Sequence, residues 1–104
     1  MSDSKFFLCR LLGPRPTFPF DMTDSERALM QLHAAYWREH MRQGNVVVFG
    51  PVADPQGPWG LGVLRAPDLA AVQAFTAQDP VIVANLGFRT EILPMLQAVL
   101  PSDL

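Results

Sequence analysis

Three observations predict an α+β fold built on one antiparallel sheet. Apolar, β-favouring runs recur at 5–12, 46–49, 59–64 and 86–93. Two helix signals fall between the first and second runs and between the third and fourth. Gly- and Pro-bearing stretches punctuate the chain between these segments. The order is β-α-β-β-α-β, the split βαβ or ferredoxin-like arrangement, with a four-stranded sheet and both main helices on one face.

Each element has a local reason. Residues 5–12 (KFFLCRLL) alternate Phe6, Leu8, Arg10, Leu12 with Phe7, Cys9, Leu11, so both faces of this strand are mostly apolar. Two covered faces explain that better than one solvated face. Residues 13–20 (GPRPTFPF) hold three prolines and a glycine, which predicts an irregular loop reaching into 13–22. Its phenylalanines are expected to pack, over the chain's own cleft or onto a neighbour.

Thr23-Asp24-Ser25-Glu26 fits a capping box, and the acidic pair suits the positive end of a helix. The helix should run from Asp24 to Gln43 and stop at Gly44. Leu29, Leu32, Tyr36 and Met41, with His33 and Trp37 among them, form a broad face at helical spacing. The run 46–49 closes on Gly50-Pro51, 53–58 (ADPQGP) is a turn-rich link, and 59–64 is the returning strand of a hairpin. Pro67-Asp68 opens a second helix through about Ala77. Asp79-Pro80 starts a short helical or irregular segment, 86–93 is the last strand, and the tail after Pro94 forms a short helix to Leu100.

Composition narrows the function classes. The 104 residues carry a net charge of −2, with 17% charged and 49% hydrophobic. A packed core follows, in a single domain spanning 1–104. No basic stripe tracks phosphates, so nucleic acid is not an expected partner. No run approaches the roughly 18 apolar residues of a membrane span. The start, Met1-Ser2-Asp3-Ser4-Lys5, lacks the features of a signal peptide, and the cytoplasm is the expected location. The one cysteine, Cys9, excludes an intrachain disulfide and reads as a small buried apolar residue. An apolar open sheet face on so small a chain predicts pairing with a second copy.

Two residues carry the chemistry. His33 lies on the first helix, and imidazole can both take and give a proton near neutral pH. Asp79 lies in an Asp-Pro step far downstream. Read alone, His33 is a core histidine beside Leu29, Leu32 and Trp37, and Asp79 is an ordinary N-cap before a first-turn proline. A carboxylate has two oxygens, so capping a helix and orienting a histidine are compatible. Trp37, Phe49 and Trp59 can wall an apolar ligand, with Gly50-Pro51 beside them, and Tyr36 lies one helical turn from His33. His40 reads as structural, since it lies about 10 Å from His33 along the axis. No His, Cys or carboxylate cluster has metal spacing, and no cofactor is expected. Gly60 and Gly62 do not make a dinucleotide fingerprint.

His33 in the first helix, the segment VVVFGPVAD at 46–54 and the QDP step at 78–80 together make the chain resemble the YciI-like, or YCII-related, family. The resemblance runs from about Lys5 to the last strand. It implies a dimeric ferredoxin-like fold with an α/β-barrel type of association, and an active site centred on a histidine and an aspartate, here His33 and Asp79. Some relatives act as dehydrochlorinases. The expected function is therefore a small cofactor-independent lyase or isomerase using a His/Asp dyad on a small, partly apolar substrate. The alternatives are a non-catalytic ligand-binding or dimerisation module and a cofactor-free monooxygenase on the same fold. The Pro-rich loop is longer than the resemblance leads one to expect and is placed to reshape or cover the cleft.

Overall fold

A computed structural model describes residues 5–104. Residues 1–4, where no signal peptide is expected, lie outside the described part. The elements are β1 (Lys5–Leu12), α1 (Asp24–Arg42), β2 (Val46–Val52), β3 (Trp59–Ala66), α2 (Leu69–Ala77), α3 (Pro80–Val83), β4 (Arg89–Pro94) and a terminal 3₁₀ turn (Pro101–Asp103). The strands form one antiparallel sheet in the order β2-β3-β1-β4. This is the ferredoxin-like topology expected from the order of elements.

Register sorts the side chains into two faces. Phe7 pairs with Leu64 and Cys9 with Gly62, and this set faces the helices. Phe7, Cys9, Val46 and Leu64 pack with Trp37 of α1 and Val72 of α2 into one buried cluster. Burying each large apolar side chain of this kind is worth about 1.5–3 kcal/mol. The opposite face presents Leu8, Leu61, Val63, Val48 and Leu93, the last two 46% and 52% exposed. Arg10 and Glu91 pair at 2.9 Å within it.

The capping box forms as expected: Thr23 Oγ1 accepts from the Glu26 N–H, and Glu26 Oε1 accepts from the Thr23 N–H. Gly44 ends α1 with a φ of +87°, where a side chain would be strained. Asp68 caps α2 through its side chain, so that helix starts at Leu69 rather than at Pro67.

Four further expectations are corrected. β2 continues through Gly50-Pro51 to Val52, because an edge strand tolerates a proline that lacks a donor. β4 begins at Arg89, after Asn85 and Gly87 take up positive φ and keep Leu86–Phe88 out of the sheet. The tail from Met95 to Leu100 is not helical. Leu96 is fully exposed and Leu100 precedes a proline, so a short segment without a packed face has nothing to hold it in a helix. The inward face of α1 is also rotated from the expected one: Leu32 is 58% exposed, and Met30, His33, Ala34 and Trp37 point inward.

Candidate active site

The site starts from α1. Met30, His33, Ala34 and Trp37 follow the i, i+3, i+4, i+7 spacing and line a cavity of about 320 Å³. The sheet contributes Cys9 and Leu11 from β1, Phe49, Gly50 and Pro51 from β2, and Trp59 to Gly62 from β3. Phe88 and Thr90 close one side, and Phe18, Pro19 and Met22 of the Pro-rich loop close another. The lining is largely apolar and contains no lysine or arginine among the described residues.

Asp79 sits at the end of α2, where the chain turns into α3. Its Oδ1 accepts from the Val81 N–H at 3.1 Å, and Pro80 occupies the first helical turn. This is the capping role visible in the Asp-Pro step. Its Oδ2 lies 2.7 Å from His33 Nδ1 and accepts a second bond, from Trp37 Nε1, also at 2.7 Å. The carboxylate is therefore 3% exposed and held by three donors. A carboxylate beside Nδ1 holds the proton on that nitrogen. Nε2 is then the ring nitrogen with a free lone pair, and it has no hydrogen-bond partner among the described residues.

Gly62 explains how Trp37 reaches this position. A Cβ there would fall on the Cη2 and Cζ3 atoms of the indole. The missing side chain lets the ring approach the sheet closely while its N–H bonds to Asp79. The sequence shows Gly62 only as a glycine within a strand; a glycine there marks a close approach by another group. Met30, Leu11 and Phe88 belong to the site and carry no signal beyond ordinary apolar periodicity.

The other expected residues separate into two places. Trp37, Phe49, Gly50, Pro51 and Trp59 all border the cavity, but the Trp59 ring itself lies on the open sheet face with Arg10 rather than walling the pocket. Trp59 is fixed at the hairpin end, its Nε1 donating to Asp54 Oδ2 at 3.0 Å and its ring 4.6 Å beneath the Arg10 guanidinium. Asp54 also accepts from the Gln56 N–H, and these two bonds hold its carboxyl below the usual carboxylate range. Tyr36 does not line the cavity. Its hydroxyl donates to the Phe75 carbonyl at 2.7 Å, and its ring stacks on Phe75 and sits tilted against His40 at the seam of α1 and α2. Burial, and then the Asp79 charge, push its phenol up. The rotation of α1 that points His33 inward turns Tyr36 to this seam.

Cys9 lines the cavity, but burial pushes its thiol up to about 12, so it is no thiolate nucleophile at neutral pH. Among the described residues no group of three or more His, Cys, Asp or Glu side chains is placed to hold a metal ion. No helix among them is long and apolar enough to cross a membrane.

Several solved structures are similar to this chain at low identity. An uncharacterised protein from Thermotoga maritima, TM1266, is 12% identical, with a TM-score of 0.48, covering 88% of this chain and 98% of that one. SnoaB, a cofactor-independent oxygenase from Streptomyces nogalater, is 15% identical, with a TM-score of 0.45, covering 94% of this chain and 98% of that one. The ActVA-Orf6 monooxygenase of Streptomyces coelicolor, solved in complex with nanaomycin D, is 13% identical, with a TM-score of 0.46, covering 95% and 94% respectively. No curated protein matches the chain. Residues 7–96 match the model of the YCII-related domain, and the chain therefore belongs to the YCII-related domain family.

Proposed function

We propose that this protein is a cofactor-independent acid–base catalyst of the lyase or isomerase type, acting on a small, neutral, partly apolar molecule. One observation carries the reading: His33 is bonded through Nδ1 to the buried Asp79 at 2.7 Å while lining a cavity of about 320 Å³. His33 Nε2 removes a proton next to a carbonyl or a leaving group. Asp79 fixes the ring and balances the imidazolium that forms. The proton returns from Nε2 to another substrate atom in an isomerisation. In an elimination it leaves with the departing anion. Positioned proton transfer of this kind contributes about 10²–10⁴-fold in rate.

The lining supports a neutral substrate. An anion entering this cavity meets no lysine or arginine there and comes close to the Asp79 charge. An uncharged molecule with an acidic proton avoids that cost and becomes anionic only as His33 becomes cationic.

The test is a panel of chlorinated lactones and β-chloro ketones assayed for chloride release and isomerisation, with oxygen uptake followed in parallel on phenols. Turnover should fall about 10²–10⁴-fold in His33→Ala. Turnover undiminished in that variant would refute the mechanism. Tight binding without turnover would favour a ligand-binding module, and oxygen consumption would favour a monooxygenase.

The functional unit in this reading is a homodimer joined through the open sheet face. The exposed Val48 and Leu93 on that face support this. Sedimentation equilibrium should give twice the chain mass, and Leu93→Asp should shift it toward the monomer. A wild-type monomer at high concentration would rule out the dimer.

A further inference from the structure

The loop between β1 and α1 is cross-braced by one side chain. Arg15 Nε donates to Asp21 Oδ2 at 2.9 Å, and Nη2 donates to the Asp21 carbonyl at 2.8 Å. Its Nη1 and Nη2 also grip both oxygens of Glu26, each at 2.7 Å. Every guanidinium nitrogen is thus committed, and the fork matches the carboxylate in the bidentate way that lysine cannot reproduce. Asp21 lies at the far end of the loop. Glu26 lies in the first turn of α1 and is already tied into the capping box. The brace therefore closes the loop on itself and fastens it to the helix that carries His33.

Phe18, Pro19 and Met22, the loop residues that wall the cavity, are held between these anchor points. Phe18 stands edge-on to Phe88, with centroids 5.1 Å apart. Behind it lies Gly13, where a Cβ would come within 2.6 Å of the Phe18 ring. The ring is wedged between backbone and Phe88, and the guanidinium that holds the loop turns its charge away from the cavity, onto Asp21 and Glu26.

We infer that Arg15 is a specificity-determining residue: it holds the 13–22 loop as a fixed apolar wall, and so sets the largest ligand the cavity admits. Arg15 touches no cavity occupant, so it is a positioning residue acting through Phe18. The inference rests on the reading of the cavity as a ligand site.

The experiment compares the affinities of three neutral probes of increasing size, phenol, 2-naphthol and 9-phenanthrol, followed by quenching of Trp37 and Trp59. The wild-type protein should bind the smaller probes and discriminate against the largest. Differences of one or a few groups in an apolar pocket are typically worth about 10–200-fold. Arg15→Met should shrink the large-to-small ratio of Kd at least about tenfold on that scale, while the imidazole proton signal of His33 stays unchanged. Phe18→Ala should do the same with the brace intact, and Arg15→Lys should not restore discrimination. Circular dichroism identifies any variant that fails to fold; Phe18→Ala then carries the wall half of the test and Arg15→Lys the brace half. Binding with an unchanged ratio in folded Arg15→Met would overturn the inference alone. No binding of any probe to wild type or variants would overturn the cavity reading, and the inference with it.

Discussion

Replacing Asp79 by Asn tests the centre of the site without a known substrate. The carboxylate accepts from three donors, Val81 N–H on Oδ1 and His33 Nδ1–H and Trp37 Nε1–H on Oδ2. An amide has one acceptor oxygen and one donor group. If the oxygen faces Val81, the NH₂ confronts Trp37, and His33 must move its proton to Nε2. If the oxygen faces His33 and Trp37, the NH₂ confronts the Val81 N–H. In either orientation at least one buried donor loses its acceptor, at about 1–3 kcal/mol. The surviving bonds fall from charge-assisted to neutral, so the total loss is about 2–4 kcal/mol. That is a large share of the about 5–15 kcal/mol that stabilises a typical chain of this size.

The assay has two parts. Urea unfolding followed by tryptophan fluorescence gives the stability loss, and ¹⁵N NMR of the imidazole reports which ring nitrogen carries the proton. The expected result is the stated loss, with a change of tautomer where the cap is retained. A loss below about 0.5 kcal/mol, the range of an ordinary surface change, with Nδ1 still protonated would refute the idea that Asp79 organises the site.

Two further outcomes follow from the same geometry. Gly62→Ala places a methyl group inside the Trp37 ring position, so the indole must move off Asp79; unfolding should show a loss of about 1–3 kcal/mol, and near-UV circular dichroism should change. An unaltered near-UV spectrum would count against the close approach. Cys9, with its thiol pushed from 9.0 to about 12 by burial, stays protonated at neutral pH and gains reactivity only as pH rises toward that value. At about pH 8 iodoacetamide should modify the folded protein on the order of 10³-fold more slowly than the unfolded chain, read by mass spectrometry.

The parts of this protein that depend on near neighbours are readable along the chain. The Thr23–Glu26 capping box, the stop at Gly44, the hairpin flanking 53–58 and the Asp79-Pro80 helix start each need only a few adjacent residues. The order of elements follows from them, and with it the sheet topology. His33 and Asp79 are visible as candidates because a titratable group on a helix face and a carboxylate in an Asp-Pro step are themselves local features.

Their juxtaposition is not local. The two residues stand 46 positions apart, and only the packing of α1 against the segment leading into α3 brings Nδ1 to Oδ2. The same packing decided that Trp37 shares that oxygen, that Gly62 makes room for the indole, and that Tyr36 turns to the α1–α2 seam. A helix presents a broad apolar face, and the sequence pattern leaves its rotation open by a residue or so; the sheet beneath it selected Met30, His33, Ala34 and Trp37 as the inward set. Arg15 carries no local mark of its role, because a guanidinium among prolines reads as a solvated charge until Glu26, eleven residues on, is folded against it.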